Sequence, residues 1–289
     1  MDRIRATYVI ETPLDLAAAA DVLAGEQSSG TFVAVPGETR ELIERFAARV
    51  ESITPLAAAE SPSLPGAEDL GNGFQRGQVE VSWSVENVDY NLPVLISTLQ
   101  GNLFELRQFS GLKLLDVELP LSFREHFHGP RFGVSGTRKL TGVHQRPILG
   151  TIIKPSIGLT PDATAELVTM LVKAGIDFIK DDELMVHPAN SQFKDRVTAV
   201  MRVINDHAER SGKKVMYAFN ISDELDRMLG HYDAVVEHGG TCAMISLNAV
   251  GAAAVQKICR QGKLAIHGHR NGWGMLTRHP MLGIDFSAY

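Results

Sequence analysis

Ile148-Leu149-Gly150-Thr151-Ile152-Ile153-Lys154-Pro155-Ser156 opens a rhythm that decides the fold of the second half of this chain. Short apolar runs recur at 148–153, 177–180, 215–220, 242–247 and 264–267, separated by amphipathic segments at 162–173, 193–210, 223–238 and 252–260. Continuous apolar strands alternating with helices predict a parallel sheet covered on both sides. The strand spacing, roughly 21 to 38 residues, suits (β/α) barrel units. Thr160-Pro161-Asp162 offers a helix start with proline in the first turn, and Ala174-Gly175 a stop. Five strands are visible where a (β/α)₈ barrel needs eight, and three more would take about 100 further residues. The chain ends in what reads as the start of a helix. The residues alone leave two readings, an open five-stranded α/β sheet or a barrel truncated at its C-terminal side.

Toward the N-terminus the rhythm changes. Residues 5–11 alternate like a half-buried strand, 15–23 are Ala-rich and helical, and 30–35 read as a strand. Residues 41–50 read as a helix, with Ile43, Phe46 and Val50 on one face. The Pro-, Ser- and Gly-rich stretch 60–77 reads as a surface loop, followed by a strand at 79–85, a helix at 93–99 and a strand at 112–119. Interleaved elements of this kind predict a small α+β sandwich with helices on one face of an antiparallel sheet. The expected domains are therefore 1–125, a small α+β domain, and 126–289, a partial (β/α) barrel.

The 289 residues carry 28 Lys+Arg against 34 Asp+Glu, a net charge of −6, and are 44% hydrophobic. A core of useful size is expected, and a broad basic face for nucleic acid is not. No run approaches 18 apolar residues and the N-terminus lacks an apolar signal core, so neither a membrane span nor export is expected. Cys242 and Cys259, in a strand and a helix, read as reduced core residues. A cytoplasmic globular protein follows.

In parallel sheets and barrels, chemistry gathers at the C-terminal ends of the strands. The first strand ends at Lys154, and a lone lysine at a strand end is usually just solvated. The second ends Lys180-Asp181-Asp182-Glu183, with Lys180 and Asp182 on one face and Glu183 just beyond. Two hard carboxylates there suit Mg²⁺, and a lysine carbamylated by CO₂ would add an anionic oxygen. The plain alternative is a charged loop opening the next helix. The fifth strand ends His267-Gly268-His269-Arg270, with both histidines on one face and a fixed cation fit for phosphate. Zinc hydrolases also use His-x-His, though usually on the first strand, and two satisfied histidines near a core remain open. What favours function is the convergence of three strand ends.

Those motifs resemble the RuBisCO large-chain superfamily. The stretch from Gly150 to Leu159 is similar to its first barrel strand, Asp177-Phe178-Ile179-Lys180-Asp181-Asp182-Glu183 to its carbamylated-lysine metal motif, and His267-Gly268-His269-Arg270 to its strand-five substrate motif. Gly25-Glu26-Gln27-Ser28-Ser29-Gly30-Thr31-Phe32 and Gly101-Asn102-Leu103-Phe104 resemble segments that reach a neighbouring subunit's active site. The resemblance implies a ferredoxin-like N-terminal domain followed by a (β/α)₈-type barrel, of which about five units are present. It implies Mg²⁺ on carbamylated Lys180, Asp182 and Glu183, with Lys154 and Lys180 catalytic. His267, His269 and Arg270 would bind substrate, Glu26, Thr31 and Asn102 would complete the partner subunit's site, and the protein would be a homodimer.

The chain departs from the carboxylases. They carry Lys-Pro-Lys where Lys154-Pro155-Ser156 stands, Trp at Phe32 and His at Trp273. The chain is thus identified as a member of the RuBisCO-like branch (form IV, non-photosynthetic), which does not fix CO₂. The branch implies a Mg²⁺-dependent lyase or isomerase that forms an enediolate from a phosphorylated keto sugar or sugar acid. Decarboxylation of 3-oxo-isoapionate 4-phosphate is expected. Isomerisation of 5-methylthioribulose 1-phosphate or enolisation of a diketo-methylthiopentyl phosphate is the alternative. A further alternative is an inactive fragment or dimerisation module.

Overall fold

The structure, a computed structural model, describes residues 2–30, 35–127 and 129–289. It packs as two units, Met1–Phe127 with Trp273–Tyr289, and His128–Gly272. In chain order come β1 (Arg3–Thr12), α1 (Leu16–Glu26), α2 (Arg40–Phe46), β2 (Arg49–Ala59), β3 (Phe74–Ser84), α3 (Leu92–Gln100), β4 (Gly111–Glu118) and α4 (Leu121–His126). Then follow α5 (Gly133–Thr141), β5 (Gly150–Ile152), α6 (Pro161–Lys173), β6 (Phe178–Lys180), α7 (Phe193–Ser211), β7 (Met216–Asn220) and α8 (Leu225–Glu237). The chain closes with β8 (Cys242–Ser246), α9 (Leu247–Cys259), β9 (Ala265–His269), α10 (Trp273–Thr277) and β10 (Leu282–Ile284).

In the first unit Ile4, Ala6, Tyr8 and Ile10 of β1 are all buried, as period-two alternation requires. Helix α1 begins where the Asp15 carboxylate accepts the N–H groups of Ala17 and Ala18, and it delivers Ala19, Ala20 and Leu23 to the core. Leu95 and Leu99 of α3 join the same apolar cluster as Val79, Val81 and Trp83 of β3. The sheet order is β10-β4-β1-β3-β2. Strand β1 runs antiparallel to both β3 and β4, and β2 antiparallel to β3. Strands β4-β1-β3-β2 with α1 and α3 form the ferredoxin-like arrangement, and β10 adds a parallel edge to β4.

Two stretches of the N-terminal unit differ from the sequence-based expectation. The helix expected over 41–50 stops at Phe46, and Val50 lies in β2 opposite Val81. Helix α2 buries none of its side chains, so packing gives it nothing to extend into, whereas Val50 and Ile53 of β2 lean on the core. Pro55 is tolerated because β2 is an edge strand. The loop expected to reach residue 77 ends earlier, since β3 begins at Phe74, which is buried. Gly77 disguised that strand; any Cβ there would sit 3.1 Å from the methyls of Leu16. Of the strand expected at 30–35, residues 31–34 lie outside the described residues.

In the second unit β5 to β9 stand in sequence order, every neighbouring pair parallel. Thr160 caps α6 by accepting the Ala163 N–H, with Pro161 as the first helical residue, and Gly175 ends the turn at φ +86°. Alternate residues Ile179, Tyr217, Phe219, Ala243 and Ile245 face α6 to α9. Met216, Ala218, Cys242, Met244 and Ala265 face the other way, toward Phe132 and Leu140 beside and within α5. The main helices therefore cover one face, not both. Sequential right-handed crossovers without a reversal of strand order leave every helix on the same side, as in a barrel wall. Cys242 is buried, Cys259 half-buried, and both are free thiols.

The N-terminal ends of the strands are tied together at Asp177. Its carboxylate, fully shielded from solvent, takes Arg146 Nη1 at 2.6 Å and Nη2 at 2.9 Å, Lys213 Nζ at 2.6 Å and the Leu149 N–H at 2.9 Å. No described helix is long and apolar enough to cross a membrane.

Candidate metal and substrate site

Parallel register aligns the C-terminal ends of the strands. Ile152 stands opposite Lys180, Lys180 opposite Ala218, Met244 opposite His267, and Ser246 opposite His269. Lys180 follows Phe178 at period two and turns to the inner face, where its Nζ meets Met244 Sδ at 3.8 Å and the Asp181 carbonyl at 3.1 Å. His267 packs on Phe178, ring centroids 5.4 Å apart. Lys154, two residues past β5, donates to Asp182 Oδ2 at 2.5 Å and to Ser156 Oγ at 2.8 Å. Glu183 Oε2 lies 3.7 Å from His269 Nε2. Arg270 follows β9 directly and is exposed.

The structure thus gathers Lys154 with Asp182, and Glu183 with His269, across three strand ends. Burial opposes ionisation of Asp182, but hydrogen bonds from Lys154, the Leu184 N–H and Ser156 outweigh it and hold the carboxyl below its usual range. Burial lowers the Lys180 amine against the pull of Glu183, Asp182 and Asp181. Burial, with Lys180 and His269 adding to it, pushes His267 down to about 4, so its imidazole is neutral at physiological pH.

Among the described residues, no three His, Cys, Asp or Glu side chains could hold a metal by themselves. The donor set fits Mg²⁺ only with Lys180 as carbamate, which would join Asp182 and Glu183 in an all-oxygen set suited to a hard cation. Lys180 is suited to that change. Its three potential donors meet one carbonyl and one thioether, a poor environment for an ammonium. Two more polar atoms at this edge, Ser246 Oγ and His269 Nδ1, are buried without a hydrogen-bond partner.

Sequence reasoning passed over Ser156, Asn220 and Ser246. Asn220 is the last residue of β7, fully buried, and its Nδ2 donates to the carbonyls of Asp182 (3.3 Å) and Glu183 (2.9 Å). The rule that strand ends carry chemistry would have found it on the third strand; the apolar run 215–220 hid it.

In the N-terminal unit Glu26 is the last residue of α1, and Asn102 opens the short 3₁₀ turn after α3. Their segments meet, since a Cβ on Gly101 would lie 3.1 Å from the Gln27 amide. Glu26 is half-buried and Asn102 exposed. Thr31 lies outside the described residues.

Comparison with known proteins shows the family of the chain. Residues 133–289 match the family model of the ribulose bisphosphate carboxylase large chain, catalytic domain, and residues 2–123 match that of its N-terminal domain. The chain is 55% identical over 288 residues to the 3-oxo-isoapionate-4-phosphate transcarboxylase/hydrolase of Xanthobacter autotrophicus, covering 100% of this chain and 69% of that protein. It is 45% identical over 287 residues to the 3-oxo-isoapionate-4-phosphate decarboxylase of Rhizobium rhizogenes, covering 99% and 68%. The crystal structure of a RuBisCO-like protein from Burkholderia fungorum superposes with a TM-score of 0.93 at 46% identity, over 100% of this chain and 69% of that one. The chain belongs to the RuBisCO large-chain family.

Proposed function

We propose that the protein cleaves the bond to the carboxyl group of a phosphorylated 3-oxo sugar acid, with 3-oxo-isoapionate 4-phosphate as substrate. The observation that carries the chemistry is the cluster of Lys154, Asp182, Lys180 and Glu183 at adjoining strand ends. The substrate is supported by the 45–55% identity to relatives named for it.

Carbamylated Lys180, Asp182 and Glu183 would hold Mg²⁺. When bound, the ion supplies Lewis-acid stabilisation of negative charge building on neighbouring substrate oxygens. Loss of a carboxyl group leaves an electron pair on the adjacent carbon, and a proton has to reach it. Lys154 Nζ, steadied by Ser156 and Asp182, is the donor for that step. Arg270 and His269 supply a fixed cation and a ring N–H for the phosphate, and neutral His267 a hydrogen bond without charge. In this reading two copies pair, and Glu26, Thr31 and Asn102 complete the site of the partner subunit.

The test is incubation of the purified protein with 3-oxo-isoapionate 4-phosphate, Mg²⁺ and bicarbonate, following the sugar product by mass and the carboxyl carbon by isotope. Product that depends on Mg²⁺ supports the reading; folded, Mg²⁺-loaded protein that leaves this substrate untouched overturns it. The fate of the labelled carbon separates two outcomes, since the relatives carry both a decarboxylase and a transcarboxylase/hydrolase name.

A further inference from the structure

The Asp181 carboxylate points away from the metal motif it belongs to, into the layer between sheet and helices. Its Oδ1 accepts from Tyr217 Oη at 2.6 Å, and its Oδ2 from the Asn220 N–H at 2.9 Å and Arg196 Nη2 at 3.4 Å. Asp181, Arg196 and Asn220 show no solvent exposure at all, and Tyr217 shows 1%. Arg196, on the first turn of α7, also donates to the carbonyls of Met185 (2.7 Å), Val186 (2.8 Å) and Ser191 (3.1 Å). It thereby grips the whole loop that follows the metal motif.

The backbone on either side of Asp181 is held to the same degree. Its N–H donates to the Ala218 carbonyl and its own carbonyl accepts from Lys180 Nζ. Asn220 takes the next two carbonyls, those of Asp182 and Glu183. Four residues of β7 and α7, Tyr217, Ala218, Asn220 and Arg196, thus hold the three-residue turn that presents these side chains.

We propose that Asp181 is a positioning residue for the metal site, with Tyr217, Arg196 and Asn220 as its clamp, so that Asp182 and Glu183 are presented together with Lys180. This rests on the reading of Lys180, Asp182 and Glu183 as metal ligands. Stability accounts for the grip of Arg196 on the loop carbonyls, which would otherwise be buried unpaired, but that grip does not require an aspartate between the metal-binding residues. Outer-shell partners of metal ligands, by contrast, commonly govern affinity by 10–100-fold.

The test measures Mg²⁺ affinity by calorimetry in bicarbonate buffer, and the spectrum of bound Mn²⁺ as a paramagnetic stand-in, for the full chain and three variants. Tyr217→Phe and Asp181→Asn are expected to bind Mg²⁺ about 10- to 100-fold more weakly. The apolar pair Asp181→Leu/Arg196→Met leaves the carbonyls of Met185, Val186 and Ser191, the Tyr217 hydroxyl and the Asn220 N–H without these partners, so it is expected to melt below the parent and to lose the Mn²⁺ signature. Variants that fold and bind like the parent overturn the inference while leaving the metal site standing. A parent protein that binds no Mg²⁺ in bicarbonate overturns both. Should the charged-pair variants not fold, the near-isosteric Tyr217→Phe decides alone.

Discussion

Lys154 Nζ lies 2.5 Å from Asp182 Oδ2, an ion pair between the C-terminal ends of β5 and β6 in which the lysine side chain is 58% exposed and the aspartate 1%. The asymmetry tells which partner depends on the other. Lysine can find water, whereas the aspartate has little besides its protein partners. Lys154→Met is expected to cut turnover about 10²- to 10⁴-fold, the usual range for a positioned proton donor. Mg²⁺ affinity should not weaken, since the variant removes a cation from beside Asp182. Parallel steady-state kinetics and calorimetry check this; a matching loss of Mg²⁺ binding would make Lys154 part of the metal site instead.

Lys180 has the opposite surroundings, half-buried on the inner face beside Met244. Mg²⁺ binding by the parent protein is expected to rise with bicarbonate, with a carbamate carbon visible by ¹³C NMR. In Lys180→Ala both the bicarbonate dependence and the signal should vanish. Full activity in that variant would sink the carbamate assignment.

Asp177 joins residues from three separate segments through Arg146, Lys213 and Leu149. Hydrogen bonds from Arg146 come first, burial opposes them, and with Lys213 and the Leu149 N–H the balance holds this carboxyl far below the usual range. A depressed folded-state value means that the stabilisation is fully present above the unfolded value of about 3.9 and is lost as the pH falls below it. Asp177→Asn should therefore cost about 2 kcal/mol at pH 7, with the difference shrinking toward pH 3. The cost falls below the roughly 3–5 kcal/mol of a fully buried pair that loses one partner, because Arg146 and Lys213 are 52% and 32% exposed and can rehydrate. Denaturant melts across that pH range measure it.

Gly283, in β10, has φ +97°, and a Cβ there would run into the carbonyl of Leu276. Gly283→Ala should destabilise the β10 edge by at least about 1–2 kcal/mol from the backbone conformation alone. Lys113, nearly buried, relies on this segment for its acceptors, the carbonyls of Thr277 and His279. Amide exchange at Leu112, whose N–H donates to Met281, should speed up in the variant. Unchanged protection would show that the edge tolerates the substitution.

The strand rhythm after Ile148 was readable because each parallel strand is a contiguous apolar run bounded by helix signals. The same property hid Asn220, which closes such a run without interrupting it. In the N-terminal unit β2 was missed because it is an edge strand with mostly exposed side chains, and its sequence carries little of the alternation that betrays a half-buried strand. Asp181 illustrates a different limit. Period two assigns it to the face opposite Lys180 and Asp182, but no local pattern says that Tyr217, Arg196 and Asn220 converge on it.

Sequence by itself determined the strand and helix beat, the caps of α6, and the candidate residues at the ends of β5, β6 and β9, because periodicity, capping and strand-end placement are local properties. Tertiary structure alone decided which of those residues touch, that the main helices cover a single face of the parallel sheet, and that β10 joins the N-terminal sheet. Those outcomes depend on strand order and register, which bring together groups such as Lys113 and His279 from distant parts of the chain. The five parallel strands likewise form a barrel wall only through their order, β5 through β9 without reversal.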